Sequence, residues 1–150
     1  MVHIYTDGGC SGNPGPGGWA YVMVLKTFQG ETVLKEDWGV EKNTTNNRME
    51  IMGVISALGA LKKKRDLPRQ VTVYTDSQYV QLGISEWIHK WKSNNWRTSE
   101  KKPVKNQDLW QALDALAGEF PIKWVWVRGH AGNKYNERAD YLTQVAIESL

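Results

Sequence analysis

The tripeptide Tyr-Thr-Asp occurs twice, at Tyr5-Thr6-Asp7 and Tyr74-Thr75-Asp76, each time closing a short β-type run, Val2-His3-Ile4 and Val71-Thr72-Val73. If the two runs lie side by side in one parallel sheet, the strands are about 4.8 Å apart and the carboxylates face each other. Such a pair is unfavourable, because each charge raises the other's pKa. Both stay ionised only with a cation between them, and otherwise one takes a proton. The repeat therefore suggests a metal site, although Asp after a strand is also ordinary turn chemistry.

The rest of the chain supplies a fold in which such strands can meet. After the first strand, residues 2 to 7, the segment from Gly8 to Gly18 is so rich in glycine and proline that turns are expected. Two β-type runs follow, Trp19 to Lys26 and Thr32 to Val40, close enough in sequence to pair as a hairpin around Gln29-Gly30. From Thr44 the period becomes helical, with Ile51, Val54, Ile55, Leu58 and Leu61 on one face, and Pro68 stops the helix. A helix between the meander and Val71 to Thr75 allows the fourth strand to join in parallel through a right-handed crossover. Helical stretches are expected near 78 to 92 and 106 to 118, then a strand over Ile122 to Val127. A last helix runs from about Asn133 to the C-terminus, with Ala139, Leu142, Ala146 and Leu150 facing inward.

At 150 residues the chain fits one domain. Its single cysteine, Cys10, excludes an intrachain disulfide, no apolar run approaches membrane-helix length, and the N-terminus does not read as a secretory signal. These features lead to the expectation of a soluble cytoplasmic protein. The net charge of +3 is unevenly spread. Lys90, Lys92, Arg97, Lys101, Lys102 and Lys105 face only Glu86 and Glu100 between positions 86 and 105, so this segment carries the whole surplus.

Two further acids fall at the edges of apolar helix stripes, Glu50 on the first long helix and Asp140 on the last, where Arg48 and Arg138 could pair with them. Taken singly, each reads as a salt-bridged boundary residue. Together with Asp7 and Asp76, beyond the carboxyl ends of parallel strands, they form an all-oxygen donor set that suits Mg2+ or Mn2+ rather than zinc. Two such ions can drive an in-line phosphodiester displacement, which points to a nuclease or another phosphoryl-transfer enzyme. His130, in Gly129-His130-Ala131-Gly132-Asn133, is by itself an ordinary loop histidine; beside an activated water it could move a proton or help product leave.

The segments TDGGCSGNPGPGG (6 to 18), TTNNRME (44 to 50), YTDSQYV (74 to 80), WIHKWKSNNW (87 to 96), KKPVKNQDLW (101 to 110) and VRGHAGNKYNERAD (127 to 140) resemble bacterial ribonuclease HI, of the ribonuclease H family, essentially end to end. The resemblance implies a ribonuclease H-like α/β fold, a five-stranded mixed sheet of antiparallel meander plus parallel strands flanked by helices, in a single catalytic domain over 1–150. It implies an endonuclease that cuts the RNA strand of RNA/DNA hybrids with two magnesium ions and leaves 3′-hydroxyl and 5′-phosphate ends. Asp7, Glu50, Asp76 and Asp140 would be the metal-binding carboxylates and His130 the catalytic loop histidine. A basic protrusion over 87 to 105 and a phosphate site of Thr45, Arg48 and Asn106 would hold the DNA strand. Because the resemblance begins directly on the first strand, the separate N-terminal hybrid-binding module of some relatives is not expected.

Reading 2′-hydroxyls in a minor groove needs short donors and acceptors. Asn13, Asn46 and Gln78 suit that task, as do backbone amides near Cys10 and Gly12. In the basic segment, Trp87, Trp91 and Trp96 stand among cations such as Lys90, Lys101 and Lys102, a combination that stacks on sugars or bases and neutralises phosphates. Trp87 and Trp91, four apart, also read as one buried helix face, with Trp87 the nearer to substrate and Asn94-Asn95 as the turn between two helices. The competing readings are a DNA-directed two-metal nuclease of resolvase type and a hybrid-binding module without catalysis. No obligate protein partner is expected, and the chain reads as a monomer.

Overall fold

The computed structural model describes residues 1–128 and 133–150. Five strands, β1 (Val2–Cys10), β2 (Gly15–Thr27), β3 (Gly30–Thr44), β4 (Val71–Thr75) and β5 (Ile122–Trp126), form one sheet in the order β3-β2-β1-β4-β5. The β1–β2 and β2–β3 pairs are antiparallel, whereas β1–β4 and β4–β5 are parallel. The expected mixed sheet is therefore present. Opposite Val2 stands Val71 and opposite Tyr5 stands Tyr74, so the two Tyr-Thr-Asp tripeptides lie in register. Their tyrosine rings stack at 4.4 Å with planes 5° apart.

Alternation along the strands sends side chains to two different covers. Ile4, Tyr21, Met23 and Val73 pack with α1 (Asn46–Lys63) and with residues of α2 (Gln78–Leu82), α3 (Ile88–Ser93) and α4 (Gln107–Ala117). Tyr5, Ala20, Val22 and Val24 pack with α5 (Lys134–Glu148) through Ala139 and Leu142. Strand β2 is thus covered on both faces, which explains its unbroken apolar run. The apolar stripe of α1 behaves as its period predicts: Ile51, Val54, Leu58 and Leu61 are fully buried. Each such side chain contributes about 1.5–3 kcal/mol of transfer free energy. Thr45 caps this helix by accepting from the Arg48 amide at 3.2 Å, and Lys62 and Lys63 complement its C-terminal dipole. Between α2 and α3 the chain makes a π-helical turn, Gly83–Trp87. None of the helices among the described residues is long and apolar enough to cross a membrane.

The structure departs from the sequence expectation at the glycine-rich segment. Strand β1 continues to Cys10 and β2 starts at Gly15, leaving only positions 11 to 14 as a turn, with Gly12 at φ +76°. Glycine is needed at position 8 for closeness rather than for turning: a Cβ there would lie 2.5 Å from the Glu50 amide nitrogen. Its absence lets α1 rest directly on β1. The β2–β3 turn falls at Phe28-Gln29, one residue earlier than expected, and β3 runs on to Thr44. At the C-terminus α5 ends at Glu148, so Leu150 is 48% exposed instead of inward-facing. Thr143 takes a fully buried place on that helix, its hydroxyl donating to the Ala139 carbonyl at 2.9 Å.

A Gly8→Ala substitution forces α1 away from β1 and is expected to destabilise the protein by about 3 kcal/mol. Urea unfolding measures the loss, and a change below about 1 kcal/mol would show that the helix shifts freely.

Candidate metal centre and nucleic-acid face

Asp7 lies in β1 two residues beyond the last pairing with β4, and Asp76 follows the end of β4 directly. Carrying the register two residues past the Tyr5–Tyr74 pair sets the two carboxylates side by side. Glu50 reaches them from α1 because Gly8 leaves no side chain between helix and strand. One oxygen from each of Asp7, Glu50 and Asp76 lies within 4.8 Å of the others. Asp76 is anchored through its carbonyl, which accepts from the Trp126 indole at 3.2 Å, and the chain then enters α2 under the Ser77 cap, whose hydroxyl accepts from the Val80 amide at 3.1 Å. Asp140, half-buried on α5 beside buried Ala139, stands outside this close trio, but its charge acts on Asp7.

The electrostatics follow from crowding. Burial, then the charges of Asp76 and Asp140, push the Asp7 carboxyl up to about 8, against weaker opposition from Thr143 and the Gly8 amide. Burial first, then Asp7 and Asp76, hold the Glu50 carboxyl well above the usual carboxylate range. Glu50 is only 8% exposed, and its Oε1 is buried without a hydrogen-bond partner. A buried oxygen lacking a donor, in a set made only of carboxylates, fits a hard divalent cation. The expected arginine partners do not serve this cluster: Arg48 pairs with Asp108 at 2.9 Å and Arg138 with Glu36 at 2.6 Å. Each arginine precedes its acid by two helix positions, and residues i and i+2 do not face each other.

His130 belongs to residues 129–132, outside the described residues. Helix α5, which follows, is capped by Asn133, whose Oδ1 accepts from the amides of Tyr135 at 2.9 Å and Asn136 at 3.2 Å.

Around the acids, at the end of the sheet where β1 and β4 terminate, Gly12, Asn13, Asn46 and Gln78 are exposed. Asn13 Oδ1 accepts from the Asn46 amide at 3.3 Å, tying the glycine turn to the start of α1. The Cys10 thiol is turned to internal use, donating to the carbonyls of Gly15 at 3.2 Å and Thr44 at 3.4 Å. Arg48 and Asn106 do meet: Arg48 Nη1 donates to Asn106 Oδ1 at 3.2 Å, beside the Thr45 cap. Two partners escaped the sequence reading. Asp108 holds the Arg48 guanidinium through both oxygens, and the Tyr79 hydroxyl accepts from Asn106 Nδ2 and Trp110 Nε1, both at 3.1 Å. The only signal for Asp108 was an acid in the first turn of a helix.

In the basic segment the buried-face reading of the tryptophans holds in part. Trp91 and Trp96 pack on the hydrophobic core, and Trp91 sits 5.5 Å from Trp110 and 6.0 Å from Trp87. Trp87 lies at the margin of this group, edge-on to Tyr79 at 5.7 Å. Lys90, Lys101 and Lys102 are exposed. Asn94-Asn95 forms the turn after α3, with Asn95 at φ 53°, but leads into a bridge between Arg97 and Pro103, and α4 begins only at Gln107.

A pH dependence follows for the metal-free protein. The unfolded Asp7 carboxyl titrates near 3.8 and the folded one near 8, so the folded state holds the extra proton between them. The stability this group contributes is complete below about pH 4 and lost as pH rises through about 8. Denaturant unfolding between pH 5 and 9 is expected to show falling stability, and Asp7→Asn to flatten that fall. A profile equally steep in the variant would place the titration elsewhere.

The RNase H family profile matches residues 1–148. A ribonuclease H of Chromobacterium violaceum is 57% identical over 150 residues, covering 99% of this chain and 96% of its own. The crystal structure of LC9-RNase H1, a type 1 RNase H with the type 2 active-site motif, superposes with a TM-score of 0.87 at 32% identity, over 99% of this chain and 72% of that one. LC11-RNase H1, solved in complex with RNA/DNA hybrid, superposes with a TM-score of 0.70 at 27% identity, over 99% and 98%. With the paired strands, the acidic cluster and the helical cover already in place, these matches identify the chain as a member of the ribonuclease H family.

Proposed function

We propose that this chain hydrolyses the RNA strand of RNA/DNA hybrids, with Asp7, Glu50, Asp76 and Asp140 holding two Mg2+ ions and residues 1–150 acting as one catalytic domain. The observation that carries the reading is the meeting of three carboxylates, one with a buried oxygen lacking a donor, at the ends of two parallel strands. When bound, the ions supply the positive charge that activates water and stabilises the leaving oxygen in an in-line displacement.

The residues divide the remaining work. Asp7 and Glu50, whose carboxyls are pushed toward the protonated form first by burial and then by neighbouring carboxylate charge, must release protons for the site to load, so loading is favoured as pH rises. Asp76, the exposed member, faces the incoming backbone, and Asp140 extends the acidic set from α5. Water oxygen bonds to phosphorus, the bond to the 3′-oxygen breaks, and the leaving oxygen takes a proton; His130 is the group assigned to move a proton or speed product release. Asn13, Asn46 and Gln78, with the amides near Cys10 and Gly12, read the 2′-hydroxyls. Thr45, Arg48 and Asn106 hold a DNA-strand phosphate. Trp87, Trp91, Lys90, Lys101 and Lys102 grip that strand further along, with Trp91 acting mainly by supporting Trp87. The single reduced cysteine fits a cytoplasmic enzyme.

With Mg2+, purified protein is expected to fragment the RNA of a hybrid and leave duplex DNA whole, and Asp76→Asn to retain hybrid binding while losing about 100-fold or more of kcat. Equal cutting of both duplexes would overturn the hybrid assignment. Replacing Lys101 and Lys102 with Ala is expected to raise KM and to flatten its dependence on salt, read from steady-state kinetics across a salt series. An unchanged slope would remove these lysines from the DNA grip.

A further inference from the structure

The proposed phosphate pocket already contains an anion belonging to the chain itself. Arg48 Nη1 donates to Asp108 Oδ1 at 3.1 Å and Nη2 to Oδ2 at 2.9 Å, the two-toothed geometry with which a guanidinium also receives phosphate. One edge of the guanidinium cannot hold both. We propose that Asp108 is an internal competitor for the substrate phosphate at Arg48, a specificity-determining residue that a hybrid must displace. The inference rests on the reading of Thr45, Arg48 and Asn106 as a phosphate site.

Three observations make the exchange easy. The pair is accessible, with side-chain exposures of 31% for Arg48 and 65% for Asp108, so water and salt screen it and an incoming phosphate can reach the guanidinium. Its surroundings need not move, because Asn106 is fixed independently through Tyr79, and Thr45 through its helix cap. Asp108 also has another place to go. It lies in the first turn of α4, where Asn106 provides no side-chain cap, and its carboxylate already interacts with the Leu109 amide. Displaced from Arg48, it retains the helix N-terminus. Until then it holds the guanidinium extended and turns away anions that cannot engage both nitrogens. Glu41 adds negative field at the same arginine.

The test measures binding of a short RNA/DNA hybrid to Asp76→Asn protein, so that cleavage does not intervene. Adding Asp108→Asn is expected to lower Kd about threefold to fivefold and to steepen the slope of log Kd against log salt by about one. In an Arg48→Ala background the same change is expected to bring no gain. Glu119→Gln, which removes an equal charge from the exposed pair with Lys62, is expected to leave Kd within about 1.5-fold. Asp108→Ser, which keeps a helix-capping oxygen, is measured in parallel and should show the same gain, and thermal melts verify folding of every variant. Unchanged or weaker binding for both Asp108 variants, with Arg48→Ala still weakening it, overturns the competition alone. The competition also fails if Glu119→Gln or the Arg48→Ala background shows the same gain. Unaltered binding by Arg48→Ala overturns the phosphate reading of the pocket itself.

Discussion

Repulsion among carboxylates is the constraint around which this molecule is arranged. Parallel pairing of β1 with β4 brings Asp7 toward Asp76, and the contact of α1 with Gly8 adds Glu50. No cation of the protein relieves them among the described residues, since Arg48 and Arg138 are committed to Asp108 and Glu36. The metal-free fold tolerates the cluster by keeping protons on it. Packing on both faces of the sheet opposes this local cost, with Ile4, Met23 and Leu58 on one side and Tyr5, Val22 and Leu142 on the other. Cores of that size readily outweigh a few kcal/mol of local strain.

Much of this was legible from the chain, for reasons that can be stated. Asp7 and Asp76 announced themselves because an identical tripeptide ended two strand-like runs, and stacking of Tyr5 on Tyr74 is the physical counterpart of that repeat. Glu50 could be placed because helical phase is regular, which also explains why Ile51, Val54, Leu58 and Leu61 were read correctly as core. The glycines were misread because a glycine that permits a turn and one that permits close approach look identical in sequence; only the position of Met49 and Glu50 against Gly8 separates the two. Leu150 was misplaced because helical phase says nothing about where a helix frays. Asp108 and Tyr79 were missed because their partners, Arg48 and Trp110, are distant along the chain, and such pairings leave no local pattern.

The arginine expectations show how a site differs from a list of its residues. Arg48 and Arg138 lie next to the right acids in sequence yet on the wrong sides of their helices. Arg48 then becomes the link between α1 and α4, and Arg138 a link between α5 and the edge strand β3. Their charges are spent on joining layers of the fold.

The Tyr79 hydroxyl receives both the Asn106 amide and the Trp110 indole, while its ring meets Trp87, and Trp110 in turn meets Trp91. The two places that contact the DNA strand in the proposed complex are thereby mounted on one frame of interlocking rings. Their separation is set by van der Waals contact between those rings, as in a caliper set at one opening. In the proposed complex, the distance between those two contacts is therefore set within the protein before a duplex arrives.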